Sequence, residues 1–292
     1  MLVAAVARGE GIREVRIPSP SRLICEVAFY YRLPIKQTSG VPGHPFQLLL
    51  LVPGFNGDGM MFLRQEVWTR FADREGLVLV SPSFQTNMDE IHSGKGYYYP
   101  KLWSGQVTLD ALKKIGERTG VRADKILVFG FSAGAHFAHR FALWRPDLIK
   151  AFVAYSAGWW DQPTRELESV PALIMCGEKD ERYEATLAFM QRGLALRLPW
   201  VWRSYPGVDH VITPEVVAMT QTFLAHYARG EKDEPLAGDL QSYQCFDIKS
   251  AEAGRIPEEL RITLPSRAVA EQWKQENPKD GSPPKPPIAA EN

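Results

Sequence analysis

One stretch constrains this chain more than any other. Lys125-Ile126-Leu127-Val128-Phe129 is followed by Gly130-Phe131-Ser132-Ala133-Gly134 and then by a run to Trp144. The apolar run reads as a buried strand. Ala133 to Trp144 reads as a helix, with Phe137, Ala138, Phe141 and Ala142 on one face and Pro146 closing it. G-x-S-x-G alone is a weak pattern of common residues, and the strand before it and helix after it give it weight. A serine on a sharp strand-to-helix turn holds its oxygen exposed. The two glycines keep the turn clear of side chains, and the helix N-terminus favours negative charge nearby. That arrangement suits a nucleophile. The plainer alternative is a tight turn whose serine caps the helix.

The rest of the chain repeats the strand–helix rhythm. Residues 12–17 and 22–33 read as early strands, and Thr38 to Pro45 as a loop. Gln47 to Val52, Leu77 to Val80, Lys150 to Ser156, Pro171 to Cys176 and Trp200 to Tyr205 are apolar runs of the kind buried parallel strands show. Helices are expected over Met60–Arg74 (apolar at Phe62, Val67, Trp68 and Phe71), Val107–Thr119, Glu181–Leu196 and Pro214–Arg229. This alternation predicts an α/β fold, a mostly parallel central sheet with helices on both faces. Residues 83–102 have no clear period but carry Tyr97, Tyr98, Tyr99 and then Trp103, which reads as a structured flap or pocket wall. Alternatively, those tyrosines only hold the loop onto the body. Past Gly230 the pattern fades, with short strands at 243–248 and 260–265 and a short helix at 266–275. The division expected is an N-terminal segment (1–20), a main domain (21–229), a C-terminal extension (230–275) and a disordered Pro-, Lys- and Glu-rich tail (276–292).

Among 292 residues, 34 basic side chains balance 34 acidic ones, so no electrostatic footprint for nucleic acid or an anionic membrane exists. No run approaches the roughly 18 apolar residues of a membrane span. Met1 to Arg8 is too short for a signal peptide's apolar region, and a cytoplasmic location is expected. The three cysteines, Cys25, Cys176 and Cys245, have neither zinc nor C-x-x-C spacing, so no metal, cofactor or disulfide framework is expected. Cys25 and Cys176 lie in apolar runs and read as core thiols.

In an open parallel sheet, ligands bind beyond the carboxyl ends of the strands. Ser132, Asp180 and His210 all follow strands, in the order serine, acid, histidine. Rivals exist: His92, His136 and His139 for the base, Glu178 and Asp209 for the acid. The glycine-rich loop Pro53-Gly54-Phe55-Asn56-Gly57-Asp58-Gly59 follows another strand and lets backbone N–H groups approach a ligand. No Lys-Ser/Thr follows it, which sets it apart from a phosphate loop.

Pro53-Gly54-Phe55, Gly130-Phe-Ser-Ala-Gly134, Gly177-Glu-Lys-Asp180 and Gly207-Val-Asp-His210 together resemble an α/β-hydrolase. The chain is similar, over about residues 20–229, to the dienelactone hydrolase-like and polyhydroxybutyrate depolymerase/feruloyl esterase-like branches. It departs at Pro53, where a histidine is usual, and at Ser132, where dienelactone hydrolases use cysteine, which favours ordinary esters. The resemblance implies Ser132 as nucleophile, His210 as base and then acid, and Asp180 as the group that orients the imidazole. It implies the backbone N–H groups of Phe55 and Ala133 as the oxyanion hole. Tyr97, Tyr99, Trp103, Trp159 and Trp160 are candidates to line the pocket for a small-molecule ester. A peptidase or acyltransferase on the same triad, and a silent binding protein, are the other readings.

Overall fold

Every apolar run of the main domain becomes a strand of one sheet. The structure is a computed structural model and describes residues 11–35 and 46–274. The loop expected at 38–45 and the tail at 276–292 lie outside those residues. The strands are β1 (Arg13–Pro18), β2 (Glu26–Arg32), β3 (Gln47–Val52), β4 (Leu77–Ser83), β5 (Ile126–Phe131), β6 (Ile149–Tyr155), β7 (Ala172–Gly177) and β8 (Trp200–Tyr205). They form an eight-stranded sheet in the order β1-β2-β4-β3-β5-β6-β7-β8. From β4 to β8 all neighbours are parallel, while β1–β2 and β2–β4 pair antiparallel. Leu48 to Val52, Ile126 to Gly130 and Ala172 to Gly177 are buried throughout, as strands covered on both faces must be.

The helices are α1 (Met60–Leu63), α2 (Glu66–Glu75), α3 (Met88–His92), α4 (Ser104–Thr119), α5 (Ala133–Trp144), α6 (Tyr183–Ala195) and α7 (Pro214–Arg229). α5 lies on β3, β5 and β6, with α4 beside it through Gly105 and Trp144 and α6 through His139 and Phe189. α2 and α7 pack together, α7 against β5, β6 and β7. Thr213 caps α7, its hydroxyl accepting from Val216 N, with Pro214 in the first turn where its missing N–H costs nothing.

Two local expectations are corrected. Met60–Arg74 is not one helix: the backbone breaks at Arg64–Gln65, and the new phase buries Trp68, Phe71 and Ala72 while Val67 turns outward at 46% exposed. Cys25 is not a core thiol: it stands in the turn before β2 and is exposed, whereas Cys176 is buried in β7.

After Gly230 the chain adds β9 (Leu236–Asp239), β10 (Cys245–Asp247), α8 (Ala251–Arg255), β11 (Arg261–Leu264) and α9 (Arg267–Lys274). The three strands form a second, antiparallel sheet, β10-β9-β11. Trp273 of α9 anchors this segment: it is fully buried, stacks on Tyr243 at 4.7 Å and donates its indole N–H to Trp202 O at 2.6 Å. Among the described residues, no helix is long and apolar enough to cross a membrane.

Candidate active site

Ser132 sits between β5 and α5 with φ 55° and ψ −116°, a left-handed conformation rare for a residue with a side chain. The flanking glycines allow it by close approach. A β-carbon on Gly130 would overlap the carbonyl of Gly134, and one on Gly134 would overlap Val52 O and lie 2.7 Å from Pro53 O. The motif therefore lets the start of α5 sit directly on the ends of β5 and β3. Ser132 N donates to Tyr155 O at 2.9 Å, which fixes the turn to β6.

Asp180 and His210 come from the loops after β7 and β8. These loops extend the strand pairing: Glu178 N donates to Tyr205 O at 3.0 Å and Lys179 N to Val208 O at 2.9 Å. From the other side, the Tyr155 hydroxyl donates to Val211 O at 2.7 Å. So held, His210 Nδ1 lies 2.6 Å from Asp180 Oδ2, and Nε2 lies 2.9 Å from Ser132 Oγ. The imidazole stacks on Phe131 with centroids 4.8 Å apart. An ionised carboxylate can only accept, so Nδ1 carries the proton and Nε2 faces the serine as an acceptor.

Asp180 has no exposed side-chain surface. Burial pushes its carboxyl up, but hydrogen bonds from His210 and from the backbone and guanidinium of Arg182 outweigh it and hold the group at about 2. Its other oxygen, Oδ1, accepts Arg182 N at 3.0 Å and Nη1 at 3.1 Å. The rival groups stand elsewhere. Asp209 accepts the backbone N–H of His210 at 2.7 Å rather than its ring, and Glu178 accepts from the Ser204 hydroxyl at 2.8 Å. His92 is exposed at the end of α3. His139 is fully buried, its Nδ1 donating to Ala135 O at 2.9 Å, and burial holds it at about 3.

Ser132 opens on a cavity of about 410 Å³, within the range of small-molecule sites. Phe55 and Ala133 both line it. Ala133 opens α5, so its N–H has no intrahelical partner. Asn56, which sequence reading did not single out, clamps the Phe55 loop: its side chain accepts Thr86 N at 2.8 Å and donates to Thr86 O at 2.9 Å. The Pro-Gly-Phe-Asn-Gly turn carried that signal, since asparagine bonds local backbone in turns.

Of the aromatic candidates, Trp159 lines the cavity, half-exposed. The other four do not. Tyr97 is buried against Phe84 with its hydroxyl on Gly54 O at 3.4 Å, and Tyr99 lies under the Arg140 guanidinium at 4.5 Å. Trp103 donates to Lys95 O at 2.8 Å, and Trp160 stacks on Phe189 at 4.2 Å. In their place stand Tyr98 and His136, ring on ring at 4.8 Å, with Met88, Ile91, Glu181 and Arg182. His136 Nε2 accepts Gly158 N at 3.2 Å, and burial pushes this imidazole well below its ordinary range, so it is neutral. Among the described residues, His226, Glu231 and Asp233 bring three potential metal-ligand atoms within 4.8 Å of one another, and none of the three lines this cavity.

No family model matches the chain, and no curated protein does. Solved structures do. A ferulic acid esterase superposes with TM-score 0.58 at 19% identity, over 75% of this chain and 97% of that one. The poly(3-hydroxybutyrate) depolymerase LpqC from Bordetella parapertussis gives 0.55 at 20% identity, over 76% and 91%. An S-formylglutathione hydrolase from Agrobacterium tumefaciens gives 0.57 at 18%, over 75% and 94%. At such identities the likeness is one of architecture: this chain has the α/β-hydrolase fold.

Proposed function

We propose that the chain is a serine hydrolase that cleaves carboxylic esters through an acyl-enzyme. The observation that carries this reading is the unbroken hydrogen-bonded line from Ser132 Oγ through the His210 ring to Asp180, at 2.9 and 2.6 Å. In it, Ser132 Oγ attacks the ester carbonyl as its proton passes to His210 Nε2. Asp180 keeps Nδ1 protonated and stabilises the imidazolium that forms. The N–H groups of Phe55 and Ala133 receive the negative oxygen of the tetrahedral intermediate. Collapse breaks the carbonyl carbon–alkoxy bond, and Nε2 returns its proton to the leaving alcohol. Water, activated by the same nitrogen, then repeats the sequence and frees the acid. Each step uses a group already held by the backbone, so little reorganisation precedes the chemistry.

The test is Ser132→Ala with p-nitrophenyl butyrate. Turnover is expected to fall by about 10⁴-fold or more, and covalent labelling by a fluorophosphonate to disappear. Undiminished turnover in that variant overturns the proposal. Wild-type protein that neither labels nor turns over any ester would instead be a silent site.

A further inference from the structure

We propose that this cavity selects esters bearing a second, ionised carboxylate, which Arg182 receives; the inference rests on the serine-hydrolase reading of the same site. Among the described residues that line the cavity, Arg182 carries the one fixed positive charge, since His136 is neutral. The guanidinium is held in place before any ligand arrives. Its Nη1 donates to Asp180 Oδ1 at 3.1 Å, its backbone N–H to the same oxygen at 3.0 Å, and its stem runs beside Gly158. The side chain remains 29% exposed. Nε and Nη2 have no protein partner among the described residues, so the planar fork that matches a carboxylate is free.

One acid competes. Glu181 Oε1 lies 3.0 Å from Nη1, but its side chain is 80% exposed at the rim, where such pairs are weak and readily exchanged. Asp180 accepts from the His210 ring as well as from Arg182 Nη1, and it leaves the Nε and Nη2 edge of the guanidinium unused. Met88, Ile91 and Trp159 form an apolar part of the remaining wall, beside Tyr98 and His136, and suit the carbon skeleton between the two carbonyl groups. The carboxylate can belong to the acyl part or to the leaving alcohol.

The test compares four substrates at neutral pH and constant ionic strength: mono-p-nitrophenyl glutarate, with the anion on the acyl part; 4-butyryloxybenzoate, with it on the leaving phenol; and the neutral p-nitrophenyl butyrate and phenyl butyrate. One of the anionic esters is expected to exceed its neutral counterpart in kcat/KM by at least tenfold in the wild type, phenyl butyrate serving for the second. Arg182→Gln slows every ester because it also frees Asp180, so the readout is the anionic-to-neutral ratio, which should fall to about one. Arg182→Lys should retain only part of the ratio, having lost the fork. Glu181→Gln, at the rim, should raise it. A wild type that prefers neither anionic ester, or a ratio unmoved by Arg182→Gln and Arg182→Lys, overturns carboxylate recognition while leaving the esterase intact. No turnover of any ester together with no fluorophosphonate labelling overturns the hydrolase reading and this one with it.

Discussion

The backbone at Ser132 should be measurably strained, and two inactive variants can isolate that strain. At φ 55° and ψ −116° a β-carbon crowds the neighbouring peptide groups, whereas glycine does not. Holding a non-glycine residue in such a region costs on the order of 1–3 kcal/mol. Ser132→Ala removes the hydroxyl and its bond to His210 but keeps the β-carbon, and so the strain. Ser132→Gly removes both. The difference between the two is therefore relief of about 1–3 kcal/mol, less the roughly 0.4–1 kcal/mol that glycine costs through its freer unfolded chain. The glycine variant should thus be the more stable by roughly 1 kcal/mol, reversing the usual order in which glycine loses about 0.5–1 kcal/mol to alanine. For a chain of 292 residues, that is a Tm gap of about 1.5–2 °C. Urea unfolding of both variants, at equal m-values, reads it directly. A glycine variant less stable than the alanine variant would refute the strain argument.

Three further outcomes are expected. Asp180, held at about 2 against an ordinary 3.8, adds stability that is fully present above about pH 4 and lost as the pH falls through 2. The stability gap between wild type and Asp180→Asn should therefore narrow over that window by about 2 kcal/mol, and a gap independent of pH in urea titrations would contradict this. Gly134→Ala drives a β-carbon into the Val52 and Pro53 carbonyls, neither of which is a movable side chain; a loss of about 3 kcal/mol or more is expected, and a Tm equal to wild type in scanning calorimetry would show that the elbow has room. Trp273→Ala should cost about 3–5 kcal/mol in urea unfolding, because that indole ties the C-terminal segment to β8; a loss below about 1 kcal/mol would mean the segment contributes little to the core.

The sheet was legible because parallel strands covered on both faces write themselves as unbroken apolar runs, as Leu48 to Val52 does. Phase was less legible. Counting one helical period from Met60 to Arg74 puts Val67 inside, but the break at Arg64–Gln65 restarts the count and sends it outward. Cys25 shares an apolar run with Val27 and Phe29, yet the strand begins only at Glu26, and no period exists in the turn before it. Val15 and Ile17 alternate with charged neighbours in β1, the pattern of a half-buried edge strand, but the antiparallel register of β1–β2 and β2–β4 is a property of two strands, which neither carries alone. β9, β10 and β11 span four, three and four residues, too few to display alternation.

The site divides along the same physical line. Ser132, Asp180 and His210 stand at strand ends, and strand ends are visible in sequence because a buried run must stop somewhere. Which aromatic ring faces the cavity depends on an irregular loop, where side-chain direction follows no period. Tyr97 and Tyr98 are adjacent, and the first is sealed beneath Phe84 while the second stacks on His136 at the cavity wall. Trp159 and Trp160 divide likewise between the cavity and Phe189. Arg182 is the sharper case. In sequence it is one charge in the run Glu178-Lys179-Asp180-Glu181-Arg182, with nothing to mark it from Lys179. Its distinction arises from folding: the turn that buries Asp180 brings the backbone N–H and guanidinium of residue 182 onto the same carboxylate oxygen, and this pair of hydrogen bonds fixes the side chain where it lines the serine's cavity. A charge two residues from a buried acid on a tight turn is thereby coupled to the acid's position, so selectivity and imidazole orientation share one side chain and a substitution there must alter both.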